Sequence, residues 1–193
     1  MKAALLTTNL RGGGAEKVYL RIGRLLAERG HEVHLLLLEH IVDHAVDTDL
    51  PLHALTPPGR YCRKGFFGKR LAAHRLRGRF DSLARERPFD LVVSALPFTD
   101  EVVSLARLPR CWYQVHNTLS AEIERLEAKS PSKANRRLAR YRRLYGDGNL
   151  IAVSEGVADD LRRRIGLEHA NIERIYNPFD LAGIRRLAAE PAA

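Results

Sequence analysis

Glycines are concentrated in one short segment near the start of the chain, where the letters from Arg11 to Lys17 read RGGGAEK. Because glycine has no Cβ, its backbone can approach a ligand closely. The free N–H groups at the start of a helix favour phosphate or diphosphate groups. Gly12, Gly13 and Gly14 are therefore candidates for a diphosphate site. The alternative is a tight turn that binds no ligand.

Two other phosphate-binding patterns can be compared with this segment. The P-loop pattern G-x-x-x-x-G-K-[ST] does not occur in the sequence. The dinucleotide pattern G-x-G-x-x-G fits at Gly12 and Gly14, but Lys17 occupies the place of its third glycine. Glu39 is a candidate for the acid that binds a ribose, whereas residues 8–11 insert extra loop before the glycines. An NAD(P)-binding domain of an oxidoreductase stays open as the alternative function.

His116 is the second candidate for a ligand contact. It ends an apolar segment that is predicted to be a strand, and ligands of parallel sheets bind at the carboxyl ends of the strands. A neutral histidine both donates and accepts hydrogen bonds. The alternative is a histidine that is satisfied by the backbone. Asn117 is a candidate for substrate contact, or it belongs with Thr118 to the cap of a following helix.

Two further polar residues are predicted at helix starts. Ser154 is predicted to cap a helix over residues 155–164, with Asp159 and Asp160 on its exposed side, and it is also a candidate for substrate contact. Glu16 falls in the first turn of the predicted first helix, where an acidic side chain complements the helix dipole.

A strongly basic segment lies between residues 60 and 79, which include eight Lys or Arg and no acid. Aromatic side chains among cations are typical of a surface that contacts an anionic membrane, or of an acceptor contact. The alternative is a solvated helix face with a few core aromatics. The candidates for such a contact are Arg63, Lys64, Phe66, Phe67, Lys69 and Arg70.

The composition limits the class of protein and of partner. A chain of 193 residues, 45% hydrophobic and 28% charged, is typical of one globular domain. The net charge of +9 favours anionic partners. Nucleic acid is compatible with this charge, but no RNA-binding or helix-turn-helix pattern is present, so we expect no nucleic-acid partner.

The cysteines and the apolar segments indicate the compartment. Cys62 and Cys111 are far apart and have no metal-ligand spacing, which favours a reducing compartment and predicts no metal site. The apolar run at the N-terminus is too short for a signal peptide, and no segment is long enough to span a membrane. We expect a cytoplasmic protein whose membrane contact, if any, is peripheral at the inner face.

Short apolar runs alternate with amphipathic stretches along the whole chain. Several runs are unbroken Val, Leu and Ile, the pattern of strands that are buried on both faces of a parallel sheet. The alternation predicts a doubly wound, Rossmann-like α/β fold with about six or seven mostly parallel strands and helices on both faces. The predicted strands are residues 2–7, 32–38, 52–55, 90–94, 111–116, 149–153 and 172–175.

Four motifs occur along the chain: GGGAEKV at 12–18, RGHEV at 29–33, IAVSEGV at 151–157 and IYNPFD at 175–180. The segment YQVHN at 113–117, which contains His116, is a looser fifth match. In this order the motifs resemble the retaining glycosyltransferases of family 4, which have the GT-B fold. The likeness extends over nearly the whole chain.

The resemblance implies a domain organisation and an activity. It implies an N-terminal acceptor-side domain over residues 1–176, followed over residues 177–193 by the hinge and the start of an absent donor-binding domain. The substrates would be a nucleotide-sugar donor and a glycan or lipid-linked acceptor, as in cell-envelope polysaccharide biosynthesis, with no other cofactor. The family's second domain carries two acidic residues separated by seven others. No Glu pair with that spacing occurs here, so the fragment would be inactive alone.

The resemblance also implies roles for individual residues. His116 would be catalytic, because it would hydrogen-bond the donor sugar or stabilise charge between the sugar and the departing phosphate. The three glycines and Glu16 would form the loop for the donor diphosphate and the acceptor. A retaining reaction of this kind is thought to proceed on the donor's own face, so no protein nucleophile is expected.

Overall fold

The computed structural model describes residues 1–42, 49–179 and 181–189 of the chain. These ranges contain seven strands and seven helices, and a π-helical turn at Asp160–Arg164 continues the sixth helix. The strands are β1 Lys2–Thr7, β2 Glu32–Leu37, β3 Leu52–Ala54, β4 Leu91–Ala95, β5 Cys111–Val115, β6 Asn149–Ala152 and β7 Asn171–Arg174. The helices are α1 Gly14–Glu28, α2 Phe66–Leu83, α3 Pro97–Ala106, α4 Leu119–Glu127, α5 Pro131–Tyr145, α6 Glu155–Asp159 and α7 Leu181–Ala188.

All seven strands belong to one parallel sheet, in the order β3-β2-β1-β4-β5-β6-β7. This arrangement confirms the predicted doubly wound fold, and each predicted strand is present with its ends shifted by at most one residue. These strands are predictable from the sequence because both faces of the sheet are buried, which gives the strands largely unbroken apolar runs. In β1, every residue is buried.

Alternate residues of β1 point to opposite faces of the sheet and enter two different cores. Leu5 packs in a core with Tyr19 of α1, while Ala4 and Leu6 pack in a larger core that includes Leu76 of α2. The larger core also contains side chains of α3, α5 and α6. Helices therefore cover both faces of the sheet, as the sequence predicts.

The order of the strands reverses between β1 and β4, which is where doubly wound folds bind their ligands. The glycine segment follows β1, and Leu96 follows β4. The backbone of Leu96 has φ +76° and ψ 132°, a conformation that is strained for a side chain with a Cβ. Such strain costs on the order of 1–3 kcal/mol and tends to occur at functional sites. The topology therefore makes this edge of the sheet the expected position of a ligand site.

The segment after β7 lies beside the end of β5. The side-chain amide of Gln114 donates a hydrogen bond to Asn177 Oδ1 at 3.2 Å. Asp180, the last residue of the predicted hinge, and residues 190–193 lie outside the described residues, and the predicted boundary after residue 176 stays a prediction. In the described ranges, no helix has both the length and the apolar character needed to cross a membrane.

Candidate functional site

The glycine segment forms a tight turn at the start of α1. Gly12 has φ +86°, in the left-handed region that favours glycine. Gly13 is the N-cap of the helix and offers no side chain to its free N–H groups. A Cβ on Gly13 would overlap the Glu16 carboxylate, whereas a Cβ on Gly14 would meet nothing within 4 Å. The space beside the helix start is therefore open at Gly14.

Glu16 lies in the first turn of α1, as predicted, and its carboxylate folds back over Gly13. The negative charge complements the positive end of the helix dipole. It also disfavours a second anion on the Gly13 side, so a diphosphate would have to approach from Gly14. Binding of a diphosphate by Gly12, Gly13, Gly14 and Glu16 stays a prediction.

His116 follows β5 and is half-buried. Burial lowers the pKa of its imidazole, which is therefore neutral near pH 7. Its Nε2 atom is buried and has no hydrogen-bond partner among the described residues. The Tyr19 hydroxyl has none there either, its ring lies 6.2 Å from the imidazole between centroids, and burial raises its pKa. Two neutral polar groups thus lie close together with unmet hydrogen-bonding capacity.

Two more buried polar atoms without a partner in the described ranges lie near the same ends of β1 and β5: Thr7 Oγ1 and Gln114 Oε1. The register aligns Gln114 with Ala95 of β4, and Ala95 follows Ser94, the partner of Leu6, so Thr7 lies in the same row of the sheet. A buried polar group without a partner costs about 1–3 kcal/mol. Such groups are commonly satisfied by ordered water or a ligand. This row is therefore a candidate position for a polar ligand.

The sequence analysis missed Thr7, Tyr19 and Gln114. Thr7 and Gln114 carry a weak signal, because each is a polar residue near the end of an otherwise apolar strand. Tyr19 carries none, because an aromatic residue on the buried face of a helix normally indicates packing alone.

A cavity of about 500 Å³ opens beside His116 and extends between the end of β5 and the helices α3, α4 and α5. Its size is within the range of small-molecule sites. Its polar lining includes His116, Asn117, Glu122 and Arg125, and Asp100 lies at its inner end. Asn117 is exposed. His116 and Asn117 thus line one cavity, and their contact with a ligand stays a prediction.

Asp100 is buried in α3 and bonded to two hydroxyl groups. Its carboxyl accepts hydrogen bonds from Ser94 Oγ at 2.5 Å and from the Tyr145 hydroxyl at 2.6 Å. Burial raises the pKa of Asp100 to about 7, although both hydrogen bonds favour the charged form. The sequence analysis did not identify Asp100 as a candidate, because nothing in the local pattern shows that its carboxyl is buried.

Ser154 caps α6, as predicted: its hydroxyl accepts a hydrogen bond from the Val157 amide at 3.2 Å. The predicted exposure of Asp160 is wrong, because this residue is only 3% exposed. Its carboxylate accepts hydrogen bonds from the amides of Leu119 at 2.7 Å and Ser120 at 3.2 Å. Asp160 therefore caps α4 from a distant part of the chain, whereas the Thr118 side chain forms no capping bond.

The aromatic pair in the basic segment lies on the surface. Phe66 is 66% exposed and Phe67 is 82% exposed, which rules out the alternative of core aromatics. Their rings pack edge to face at 5.3 Å, and the Arg70 guanidinium lies 5.0 Å from the Phe66 ring. Arg63 and Lys64 are exposed nearby.

Lys69 does not share this exposure. Its side chain is 16% exposed, and its ammonium donates to Glu101 Oε2 at 2.6 Å, which joins α2 to α3. Its contribution is therefore to packing between these helices. We define Arg63, Lys64, Phe66, Phe67 and Arg70 as the basic-aromatic surface.

Glu39 is buried and fully engaged inside the domain. Its two carboxylate oxygens accept hydrogen bonds from Asn9 Nδ2 at 2.8 Å and from the Cys62 amide at 3.0 Å. A ribose would have to displace these partners, which counts against an NAD(P) site. In the described part of the chain, no three His, Cys, Asp or Glu side chains are grouped so as to hold a metal ion.

Comparison with known proteins gives one family and several structural neighbours. The model of the family described as Glycosyltransferase Family 4 matches residues 12–182. No curated protein sequence matches the chain. A structure of sucrose-phosphate synthase from Thermosynechococcus elongatus has a TM-score of 0.67 at 13% identity, over 98% of this chain and 53% of that one.

Two further solved structures are similar. UGT2 of Phytolacca americana, complexed with UDP-2fluoro-glucose and pterostilbene, has a TM-score of 0.60 at 11% identity, over 98% of this chain and 57% of that one. WaaG, a glycosyltransferase involved in lipopolysaccharide biosynthesis, has a TM-score of 0.54 at 16% identity, over 96% of this chain and 50% of that one. The chain thus spans about half the length of these three structures, and at such identities the likeness shows the fold.

Proposed function

The chain belongs to glycosyltransferase family 4, and from this premise we propose that it forms the N-terminal, acceptor-side half of a two-domain glycosyltransferase. The enzyme transfers a sugar from a nucleotide-sugar donor to a glycan or lipid-linked acceptor. The UDP-sugar named with the Phytolacca structure supports a donor of this class. The observation that carries the proposal is the row of unsatisfied polar groups around His116, at the same edge of the sheet as the open helix start at Gly14.

The proposed division of labour between two domains follows the same premise. Residues 1–176 form the acceptor-side domain, and residues 177–193 form the hinge toward a C-terminal domain that holds most of the donor. Transfer proceeds with retention and without a protein nucleophile. The 193-residue chain alone is therefore inactive and binds a nucleotide sugar weakly. That it spans about half of its structural neighbours is consistent with this division.

In this proposal, different residues at the edge of the sheet bind different parts of the donor. The diphosphate approaches the N–H groups of α1 from the Gly14 side, because the Glu16 carboxylate lies over Gly13. The sugar lies toward His116, whose neutral imidazole has a buried Nε2 free for a hydrogen bond within the described structure. A hydrogen bond from this nitrogen strengthens as negative charge develops on the departing phosphate. Asn117 and Ser154 are second candidates for substrate contact.

Steady-state kinetics of the two-domain protein test the role of His116. Replacing His116 with alanine is expected to lower kcat more than it raises KM, because the contact strengthens in the transition state. His169→Ala is the matched control, since His169 is exposed and remote from the cavity. Near wild-type kinetics for His116→Ala, or equal losses in both variants, would remove His116 from the proposed site.

We also propose that the basic-aromatic surface contacts an anionic membrane. The exposed Phe66 and Phe67 provide apolar contact, and Arg63, Lys64 and Arg70 provide attraction of about 1 kcal/mol each at most. This arrangement suits a protein that is peripheral at the cytoplasmic face and that acts on a membrane-anchored acceptor in cell-envelope polysaccharide biosynthesis. The acceptor-side domain would then be held at the surface on which its acceptor lies.

Sedimentation with vesicles tests the membrane contact. The chain is expected to bind vesicles rich in anionic lipid and to be released as the salt concentration rises. Phe66→Ser with Phe67→Ser should weaken binding at all salt concentrations, and Lys64→Glu with Arg70→Glu mainly at low salt. Tyr176→Ser with Phe179→Ser is the matched control, because these residues are similarly exposed but distant in sequence. Equal binding to neutral vesicles, or equal losses in the control, would contradict the proposal.

A further inference from the structure

A shallow groove runs along α2 on the side that faces the edge strand β3. It has two chambers that share Leu55 and Arg75. The chamber of about 440 Å³ also includes Arg79, Gly78 and Ser82, and lies toward the end of α2. The chamber of about 340 Å³ also includes Arg63, Gly68 and Leu71, and lies toward the start of α2. We call the two chambers together the α2 groove.

The charge of the α2 groove has one sign. No acidic residue is among the described residues that line it. Arg63, Arg75 and Arg79 form no ion pair with any residue of the described ranges. Arg77, which lies between two of them on the same helix, pairs with Asp81 at 2.9 Å and donates to the Arg107 carbonyl at 3.0 Å. Arg75 and Arg79 therefore line the groove without an ion pair in the described structure, whereas Arg77 between them is paired outside it.

Three unpaired guanidinium groups around a concave surface are suited to a phosphate. Arginine offers a planar set of N–H donors that bind two phosphate oxygens at once. Arg75 and Arg79 are one helical turn apart, so their side chains extend from the same face of α2. Gly78 lies between them, and a Cβ there would meet nothing within 4 Å, so the floor of the chamber is open. The groove can therefore admit a bulky anionic group.

The groove lies beside the helix turn that carries the exposed phenylalanines, which favours a phosphate that belongs to a lipid. Its chamber near the start of α2 is lined by Gly68, which follows directly on Phe67, and by Leu71 in the next turn of the helix. We propose that the α2 groove binds the phosphate of a membrane lipid whose chains lie over the exposed phenylalanines. This inference rests on the proposed membrane contact and names its partner: a lipid that carries a phosphate group. Binding of free inorganic phosphate would be a different result.

Calorimetric titration with dihexanoyl phosphatidic acid, kept below its micelle concentration, tests this inference. Arg75→Gln with Arg79→Gln is expected to weaken binding by at least tenfold. Arg77→Gln with Arg85→Gln removes the same charge from outside the groove and is expected to change binding by less than twofold. Equal losses in the two double variants would show a non-specific charge effect and overturn the proposal, as would no loss in either.

A steric variant tests the groove without altering its charge. Gly78→Leu should be compatible with the fold and should fill the chamber beside Arg75 and Arg79, so a loss of at least fivefold is expected. Unchanged binding by this variant would overturn the proposal.

Inorganic phosphate, titrated in parallel, is expected to bind at least tenfold more weakly than the lipid. Equal binding would overturn the lipid as the partner. Soluble lipid binding that persists when Phe66→Ser with Phe67→Ser abolishes vesicle binding would support the groove independently. Vesicle binding through the phenylalanines without soluble lipid binding would leave the membrane contact standing and overturn the groove.

Discussion

Replacing Asp100 with asparagine is expected to change how the stability of the domain depends on pH. Asp100 is buried, and burial raises its pKa from 3.8 to about 7 in the folded chain. Below pH 4 the carboxyl is protonated in both the folded and the unfolded chain. Between pH 4 and 7 the unfolded chain loses this proton while the folded chain keeps it, so folding is favoured less as the pH rises. Above pH 7 both are ionised.

The size of the effect follows from the same pKa difference. One pKa unit corresponds to about 1.4 kcal/mol, so the ionised carboxyl lowers the free energy of unfolding by about 4 kcal/mol above pH 7, relative to pH 4. Asparagine has nearly the same shape, and its side-chain oxygen can accept a hydrogen bond from Ser94 or Tyr145. Asparagine cannot ionise, so the free energy of unfolding of the variant does not fall for this reason as the pH rises.

Urea unfolding at a series of pH values measures the difference directly. The free energy of unfolding of Asp100→Asn minus that of the wild type is expected to rise with pH by about 1.4 kcal/mol per unit between pH 4 and 7, and to level off above that. Taking the difference removes the contributions of His53 and His116, whose pKa values are lowered mainly by burial. Ser132→Ala, at an exposed residue that carries no ionisable group, is the matched control and should give a flat difference.

A difference that does not change with pH for Asp100→Asn would refute this reasoning. It would mean that the carboxyl is ionised in the folded chain across the whole range. The hydrogen bonds from Ser94 and Tyr145 would then outweigh the cost of burial.

Gly14→Val is expected to fold normally, because a Cβ at this position has open space. The variant should lose nucleotide-sugar binding, as measured by titration, and wild-type binding would contradict the diphosphate site. Ser154→Ala should lower the free energy of unfolding by about 1 kcal/mol in urea without affecting binding. Lost binding at unchanged stability would instead make Ser154 a substrate contact. Asp160→Ala leaves the buried amides of Leu119 and Ser120 unpaired and should cost about 3 kcal/mol in the same assay, whereas a cost below 0.5 kcal/mol would disprove the capping role.

The strands and the position of His116 could be predicted because both depend on local sequence. Unbroken apolar runs specify strands that are buried on both faces, and a polar residue that follows such a run falls at the edge where ligands bind. How far Gly14 lies from His116 along this edge follows only from the order of the strands, in which β4 separates β1 from β5. That order depends on which helix covers which face, and the sequence gives no local signal for it.

The roles of Asp100 and Asp160 could not be predicted, because their partners are distant in the chain. Tyr145 donates to Asp100 across 45 positions, and the amide of Leu119 donates to Asp160 across 41. An acidic residue in a helix normally lies in solvent, so the local pattern indicated exposure for Asp160. Lys69 shows the same limit: a run of cations does not reveal that one of them pairs with Glu101 on the next helix.

The central claim is that the edge of the sheet around Gly14 and His116 receives a nucleotide sugar. Titration of the isotope-labelled 193-residue chain with UDP-glucose and other nucleotide sugars, followed by amide chemical shifts, tests it most directly. We expect weak binding that shifts the amides of Gly13, Gly14, His116 and Asn117, while NAD(H) leaves them unchanged. Shifts induced by NAD(H) around Glu39, or no shift at Gly14 and His116 with any nucleotide sugar at millimolar concentration, would contradict the account.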